Sequence, residues 1–143
     1  MITTILKAAA TTAGCDQVFY ESDKLAGVIT DQAMQDKVFC LVIQPNECTL
    51  NVAGNGVREH YASHYIEVMQ QVKLEDTAEN NEVVYDKILK ICEKIVYALI
   101  ITGSFQKIAS VTAVKIQENK YDFNPIGWSM PLDLQLIENK TNC

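Results

Sequence analysis

The chain has 143 residues, with 12 Lys and Arg against 18 Asp and Glu, and a net charge of −6 at pH 7. Its composition, 48% apolar and 21% charged, excludes a disordered tail. It fits one domain over residues 1–143, able to bury about 68–70% of its unfolded surface. The acidic balance argues against a surface that grips nucleic acid or an acidic membrane, because both need Lys and Arg.

Ile2, Ile5, Leu6, Ala9, Ala10 and Ala13 recur at helical spacing, with Thr3 or Thr4 available as a cap and Gly14 placed to end the helix. Gln17–Tyr20 reads as a short strand. Residues 21–37 are mixed and read as a long loop, with one helical turn around 32–35. Val38 to Ile43 is an unbroken apolar run, expected to be a central strand buried on both faces. Cys48–Ala53 is the next strand, and Gly54-Asn55-Gly56 supplies a tight turn. From Arg58 to Leu74 the apolar Ile66, Val68, Val72 and Leu74 alternate with Glu67, Gln71 and Lys73. That period of two predicts a strand with one wet face, and an antiparallel meander from 38 to 74.

The acidic stretch from Glu75 to Glu82 leads into a helix carrying Val84, Ile88, Ile91, Cys92, Ile95 and Leu99, which Gly103 ends. At 1.5 Å per residue it spans ~30 Å, enough to cross a sheet. Lys107–Glu118 is a strand-rich run, and 119–125 a turn or projecting loop. Ile126, Trp128, Met130, Leu132, Leu134 and Leu136 then alternate cleanly. Pro131 cannot donate to a ladder, which predicts an edge strand or a bulge. The expected fold class is α+β: two layers, an antiparallel sheet with one long helix packed across it and a short N-terminal helix.

Met1–Leu6 lacks the basic start and apolar run of a secretory signal. No stretch reaches the ~18 apolar residues of a membrane span. The richest apolar run is Ile95–Ile101. Five cysteines, at 15, 40, 48, 92 and 143, include no C-x-x-C pair. They point to a reducing cytoplasm, with Cys40 and Cys92 as small buried hydrophobes.

Few residues suggest chemistry. His60 and His64, on a strand, share a face but lie ~13 Å apart, too far for one metal ion. The zinc-protease Glu is missing from this H-x-x-x-H spelling. Ser63 or Cys48 near a His lacks a third orienting group. Gly54-Asn55-Gly56 lacks the Lys-Ser/Thr of a phosphate loop, and Asp122, Asn124 and Asp133 fall short of a calcium loop. No catalytic residue, metal or cofactor is expected. Among the aromatics, Tyr61, Tyr65, Tyr121, Phe123 and Trp128 read as half-buried sheet residues. The sharper reading makes Tyr121, Phe123 and Trp128 an anchor patch at a subunit contact.

The layout of short helix, meander, long helix and closing antiparallel pair resembles the tail-terminator and head–tail joining proteins of tailed bacteriophages. The run Asp122-Phe123-Asn124-Pro125-Ile126-Gly127-Trp128 is similar to the closing segment of such neck proteins from phages of gut bacteria. The resemblance implies a non-enzymatic virion protein, synthesised in the host cytoplasm and placed at the head–tail junction. It implies a homo-oligomeric ring, often of six. Its neighbours would be the portal or head-completion protein and the tail or tail-tube protein, with DNA passing the lumen unheld. Two other readings stand beside it: a small cytoplasmic ligand-binding or enzymatic α+β domain with a pocket between sheet and helix, and an assembly adaptor outside the virion.

Overall fold

A computed structural model describes residues 2–20, 37–43, 47–54, 56–72, 78–116 and 125–137. The chain runs α1 (Ile2–Ala13), β1 (Gln17–Tyr20), β2 (Val38–Val42), β3 (Thr49–Ala53), β4 (Gly56–Gln71), α2 (Ala78–Ile101), β5 (Val114–Ile116) and β6 (Pro125–Gln135). The class is α+β: among the described residues two helices lie on a six-stranded sheet. The expected loop at 21–37 lies outside the described residues apart from Lys37. So do residues 73–77 and the 119–125 turn, apart from Pro125.

Both helices form where the apolar spacing places them. In α1, Ile2, Leu6, Ala9, Ala10 and Ala13 are buried. Gly14 stops it at φ 110°, while Cys15 N–H donates to Ala10 O at 3.1 Å. That six-to-one bond over a left-handed glycine satisfies a carbonyl the helix leaves open. In α2 the buried stripe is Ile88, Cys92, Ile95 and Leu99. Gly103, at φ 68°, closes it, and Thr102 Oγ1 donates to Leu99 O at 2.7 Å. α2 lies across β4 and β6, and α1 lies against α2.

The strand order is β1-β2-β4-β6-β5, with β3 pairing β4 off this path. The sheet is mixed rather than purely antiparallel, because β1 pairs β2 in parallel. Asp16 makes this join: its N–H donates to Val38 O at 2.7 Å, and its carboxylate accepts from Val38 N–H at 2.9 Å. The expected meander is also revised. β2 pairs residues 66–70 of β4 and β3 pairs residues 56–60, so the two lie end to end along one side of β4. Together they make a long hairpin with β4. Ala53 pairs with Gly56 at its tip, and Gly54 has the φ of 59° that a two-residue turn requires.

Strand β6 lies inside the sheet, between β4 and β5, not at its edge. The proline is accommodated by register. Ile43 N–H donates to Tyr65 O, so the backbone groups of Tyr65 face β2. Its partner across the ladder is Pro131. Such a pair exchanges no hydrogen bonds, and the proline nitrogen points away from β4. On that outer side β5 reaches only residues 127–129, and the next pairing is the Phe105–Leu136 bridge. Pro131 thus occupies a gap in the outer ladder. The strand expected over Lys107–Glu118 shrinks to Val114–Ile116. Ile108, Val111 and Val114 stand three apart, a spacing no strand face can use. Ile108 and Val111 instead pack against the core from irregular chain.

The main core lies between sheet and helices, and joins Leu6, Cys40, Ile66, Val68, Ile95, Leu99, Leu132 and Leu134. A second cluster, Phe39, Leu41, Met69 and Ile116, occupies the opposite face. The wet face expected on β4 is therefore absent in its upper half, where Glu67 and Met69 are buried. Gln70 Oε1 accepts from Lys87 Nζ at 2.7 Å, which ties this strand to α2.

Candidate interaction surfaces and polar clefts

The two histidines do not share a face. The β4–β6 register slips by one residue between Tyr61 and His64. An extra residue in one strand turns the following side chains over. His60 lies opposite Gln135 and His64 opposite Leu132, and on β6 these positions point to opposite sides. The expectation that His60 and His64 share a face is therefore corrected: the extra residue between Tyr61 and His64 turns them to opposite sides. Among the described residues, no group of three His, Cys, Asp or Glu side chains is placed to hold a metal ion.

His60 Nε2–H donates to Asp133 Oδ1 at 2.5 Å. The pair stands at a cleft of about 280 Å³ with Gln106, Lys107, Ser110 and Gln135. This cleft forms where the outer ladder of β6 opens around Pro131. His64 is fully buried, and neither ring nitrogen has a hydrogen-bond partner. Burial lowers its pKa, so the ring is neutral in the fold. Tyr61 meets it edge-on, with ring centroids 6.3 Å apart. The Tyr61 hydroxyl donates to Glu59 at 2.8 Å, and its pKa is raised by burial first and by that bond second.

Cys15, Cys40 and Cys92 converge in the main core from the end of α1, from β2 and from α2. The contact with Cys15, then burial, pushes the Cys40 thiol well up. Burial pushes Cys92 up to about 12. Cys40 and Cys92 thus remain thiols at neutral pH and behave as small hydrophobes, as the sequence indicated. Cys48 is exposed, and the side chain of Ser63 is not described.

Of the three expected interface aromatics, Tyr121 and Phe123 lie outside the described residues, as do Asp122 and Asn124. Trp128 is half-buried under the start of α2. Its Nε1–H donates to Tyr85 O at 2.9 Å, and the two rings meet edge-on at 6.0 Å. Lys115 Nζ stands 4.6 Å from the Tyr85 centroid and 5.8 Å from that of Trp128. Tyr85 hydroxyl donates to Ile116 O at 2.7 Å. The cluster fastens α2 to β5 and β6.

Sequence reasoning missed two apolar surfaces. On α2, Lys90, Glu93 and Lys94 face solvent along one stripe. One to two turns later the same stripe becomes Tyr97, Ile100 and Ile101, all exposed. Beside it lies a groove of about 300 Å³ between the helices, lined by Ile5, Ala8, Ala9, Thr12, Ala98 and Ile101. The run Ile95–Ile101 carried the signal: seven consecutive apolar residues exceed what one buried stripe can absorb. The second surface is the hairpin. Leu50 and Val52 sit opposite Glu59 and Val57 on the helix side of the sheet, yet they are 62% and 78% exposed. Among the described residues no strand pairs with the outer edge of β3, and no helix is long and apolar enough to cross a membrane. Neither a scan against protein-family models nor a search of the curated proteins finds a match for the chain.

Proposed function

We propose that the chain is a structural virion subunit, one copy in a closed ring at the head–tail junction of a tailed phage. The ring, most simply of six, terminates or joins the tail. It meets the portal or head-completion protein on one side and the tail or tail tube on the other. The observation that carries the reading is the pair of separate apolar surfaces on one chain, the hairpin and the end of α2. Isolated exposed apolar residues mean little, but paired patches on a small subunit mark contacts. Two different surfaces that meet head to tail generate a ring when the rotation closes. The long helix laid across a sheet, with a short helix before it and a closing strand after it, supports the same reading through the resemblance stated above. A charge of −6 per copy, repeated around a lumen, repels the duplex rather than holding it.

Imaging of particles from the source phage tests the proposal. The expected result is a ring of this chain in the neck, and particles whose neck and tail lack it overturn the reading. In the same particles Tyr121→Ala with Phe123→Ala should weaken incorporation while the subunit stays folded.

The His60 cleft favours a second reading, a small-ligand-binding domain, because Lys107, Ser110 and Asp133 converge there. His60→Ala separates the two: it should leave ring assembly unchanged if the first reading is correct.

A further inference from the structure

His64 stands where β4 slips by one residue against β6. It lies opposite Leu132 and so points to the helix side of the sheet, into the main core. The ring is fully buried, and both nitrogens lack a hydrogen-bond partner. A buried polar group without a partner weakens the structure around it, and this one can also take up a proton. Few groups nearby could receive the charge. On β4 the Tyr61 ring meets His64 edge-on, but its hydroxyl is committed to Glu59. The Cys48 thiol, from before β3, meets the same hydroxyl. Glu67 lies opposite Leu41 and Ser129, on the other face. From β6 the ring meets Leu132 and Leu134, while Asp133 turns away to His60. The rest of the main core offers only thiols: Cys15 after α1, Cys40 on β2 and Cys92 on α2. Glu93, Lys94 and Lys107 face solvent, and Tyr20 is two strands away on β1. Among the described residues, no carboxylate stands ready to pair with a charged ring.

The sheet is held unequally on the two sides of this ring. From His64 to Gln71 the pairing of β4 with β6 runs without a break. Beyond the slip it continues only through Tyr61 with Leu134, His60 with Gln135, and Leu136 N–H donating to Glu59 O at 3.0 Å. We propose that His64 is an acid-sensitive latch: protonation draws its ring out of the core, and the lower part of β4, with β3, parts from β6 while the ladder above stays closed. Burial holds the ring neutral in the closed sheet. Once open, it titrates near the ordinary value of ~6.5. Above that pH the latch is silent. Below it the open state takes up a proton that the closed state refuses, so the open population rises, by as much as ~30-fold at pH 5. The short lower ladder opens at less cost than the long upper one, so the change falls there first. The latch acts within one chain and does not depend on the ring.

Amide hydrogen exchange of the full chain, read by mass spectrometry at pH 7.5 and pH 5, tests this. Each rate is divided by the intrinsic chemical rate at its pH. In wild type, residues 57–64 and 132–136 should lose protection by about 10- to 30-fold at pH 5, while 66–70 and 126–130 change by less than about twofold. His64→Leu should abolish the loss, and His64→Phe, which keeps a ring against Tyr61, should do the same if the leucine variant does not fold. His60→Ala should retain the loss, because His60 lies on the other face. Equal loss along both parts of β4 overturns the proposal, since His64 would then act only on global unfolding. So does a wild type that loses no protection, a loss that persists without His64, or one that disappears with His60. A ring missing from the phage neck refutes the location of the chain and leaves these outcomes unchanged.

Discussion

Strand β4 lives in two environments along its length. Residues 66–70 run between β2 and β6, with α2 over one face and the Phe39–Met69 cluster on the other, and every one of them is buried. Residues 56–60 pair with β3, and the residues opposite them include the exposed Leu50 and Val52. Both halves are regular antiparallel strand with apolar positions. The upper half is closed by its own chain, whereas in the lower half Leu50 and Val52 stay mostly exposed, with no helix packed over them among the described residues. Exposure, rather than composition, separates a stabilising face from a docking face. Substitutions in the upper region should therefore cost folding, and those in the lower region association.

The largest effect is expected above β4. Ile95 is fully buried in the main core, on the face that α2 turns to the sheet. Ile95→Asp puts an unpaired carboxylate there, which costs more than ~4 kcal/mol and should leave the chain unfolded by circular dichroism. A folded variant would show that the upper region is not the closed core described here. Next comes Gly127, which pairs with Met69. A methyl group at this position would overlap the Val68 carbonyl oxygen and stand 2.9 Å from Met69 Cα. Backbone cannot yield as a flexible side chain does. Gly127→Ala should lower stability by about 3 kcal/mol in urea titration. A loss below ~1 kcal/mol would mean that the two strands separate more easily than their register implies.

The upper region was also the more legible in sequence. The unbroken run Val38–Ile43, the stripe from Ile88 to Leu99 and the glycines at 14 and 103 each act locally, through periodicity or backbone freedom, and each appears in the fold. What was not legible depends on distant partners. Parallel pairing of β1 with β2 is a long-range choice, and the extra residue between Tyr61 and His64 leaves the composition unchanged while turning side chains over. Without that slip His60 and His64 would share a face. Leu50 and Val52 read as ordinary strand residues, because whether a helix covers them is decided by where α1 and α2 end. Trp128 stands out in the sequence as an aromatic, but the bond from its indole to the Tyr85 carbonyl depends on where α2 crosses the sheet.

His64 marks the boundary between the two regions and gives a smaller effect with a defined sign. Burial lowers its pKa below the usual 6.5. As pH falls through 6.5 the unfolded chain takes up a proton that the folded chain still refuses. Stability therefore falls with pH below 6.5, until the folded pKa is reached, and is independent of this group above it. His64→Leu removes both the titration and two unpartnered buried nitrogens. It should raise stability at pH 7.5 by about 1 kcal/mol, and by more at pH 5. Urea titrations at the two pH values check this. A variant less stable than wild type, or one with the same pH dependence, would contradict the neutral unpartnered ring.

The smallest expected change, in the lower region, is the sharpest test of the comparison. Leu50 and Val52 touch water over most of their surface, so little apolar area is removed from solvent there when the single chain folds. The area rule then assigns them little folding free energy. Serine in both places keeps the backbone ladder with β4, and its lower strand propensity is a few tenths of a kcal/mol in an edge strand. The double variant should unfold within ~0.5 kcal/mol of wild type when both are monomeric and dilute. At concentrations where wild type associates, wild type alone should gain stability, because binding partners stabilise only the folded chain. A difference that grows with protein concentration assigns these side chains to the contact between copies. One that is large and independent of concentration returns them to the core of the single chain.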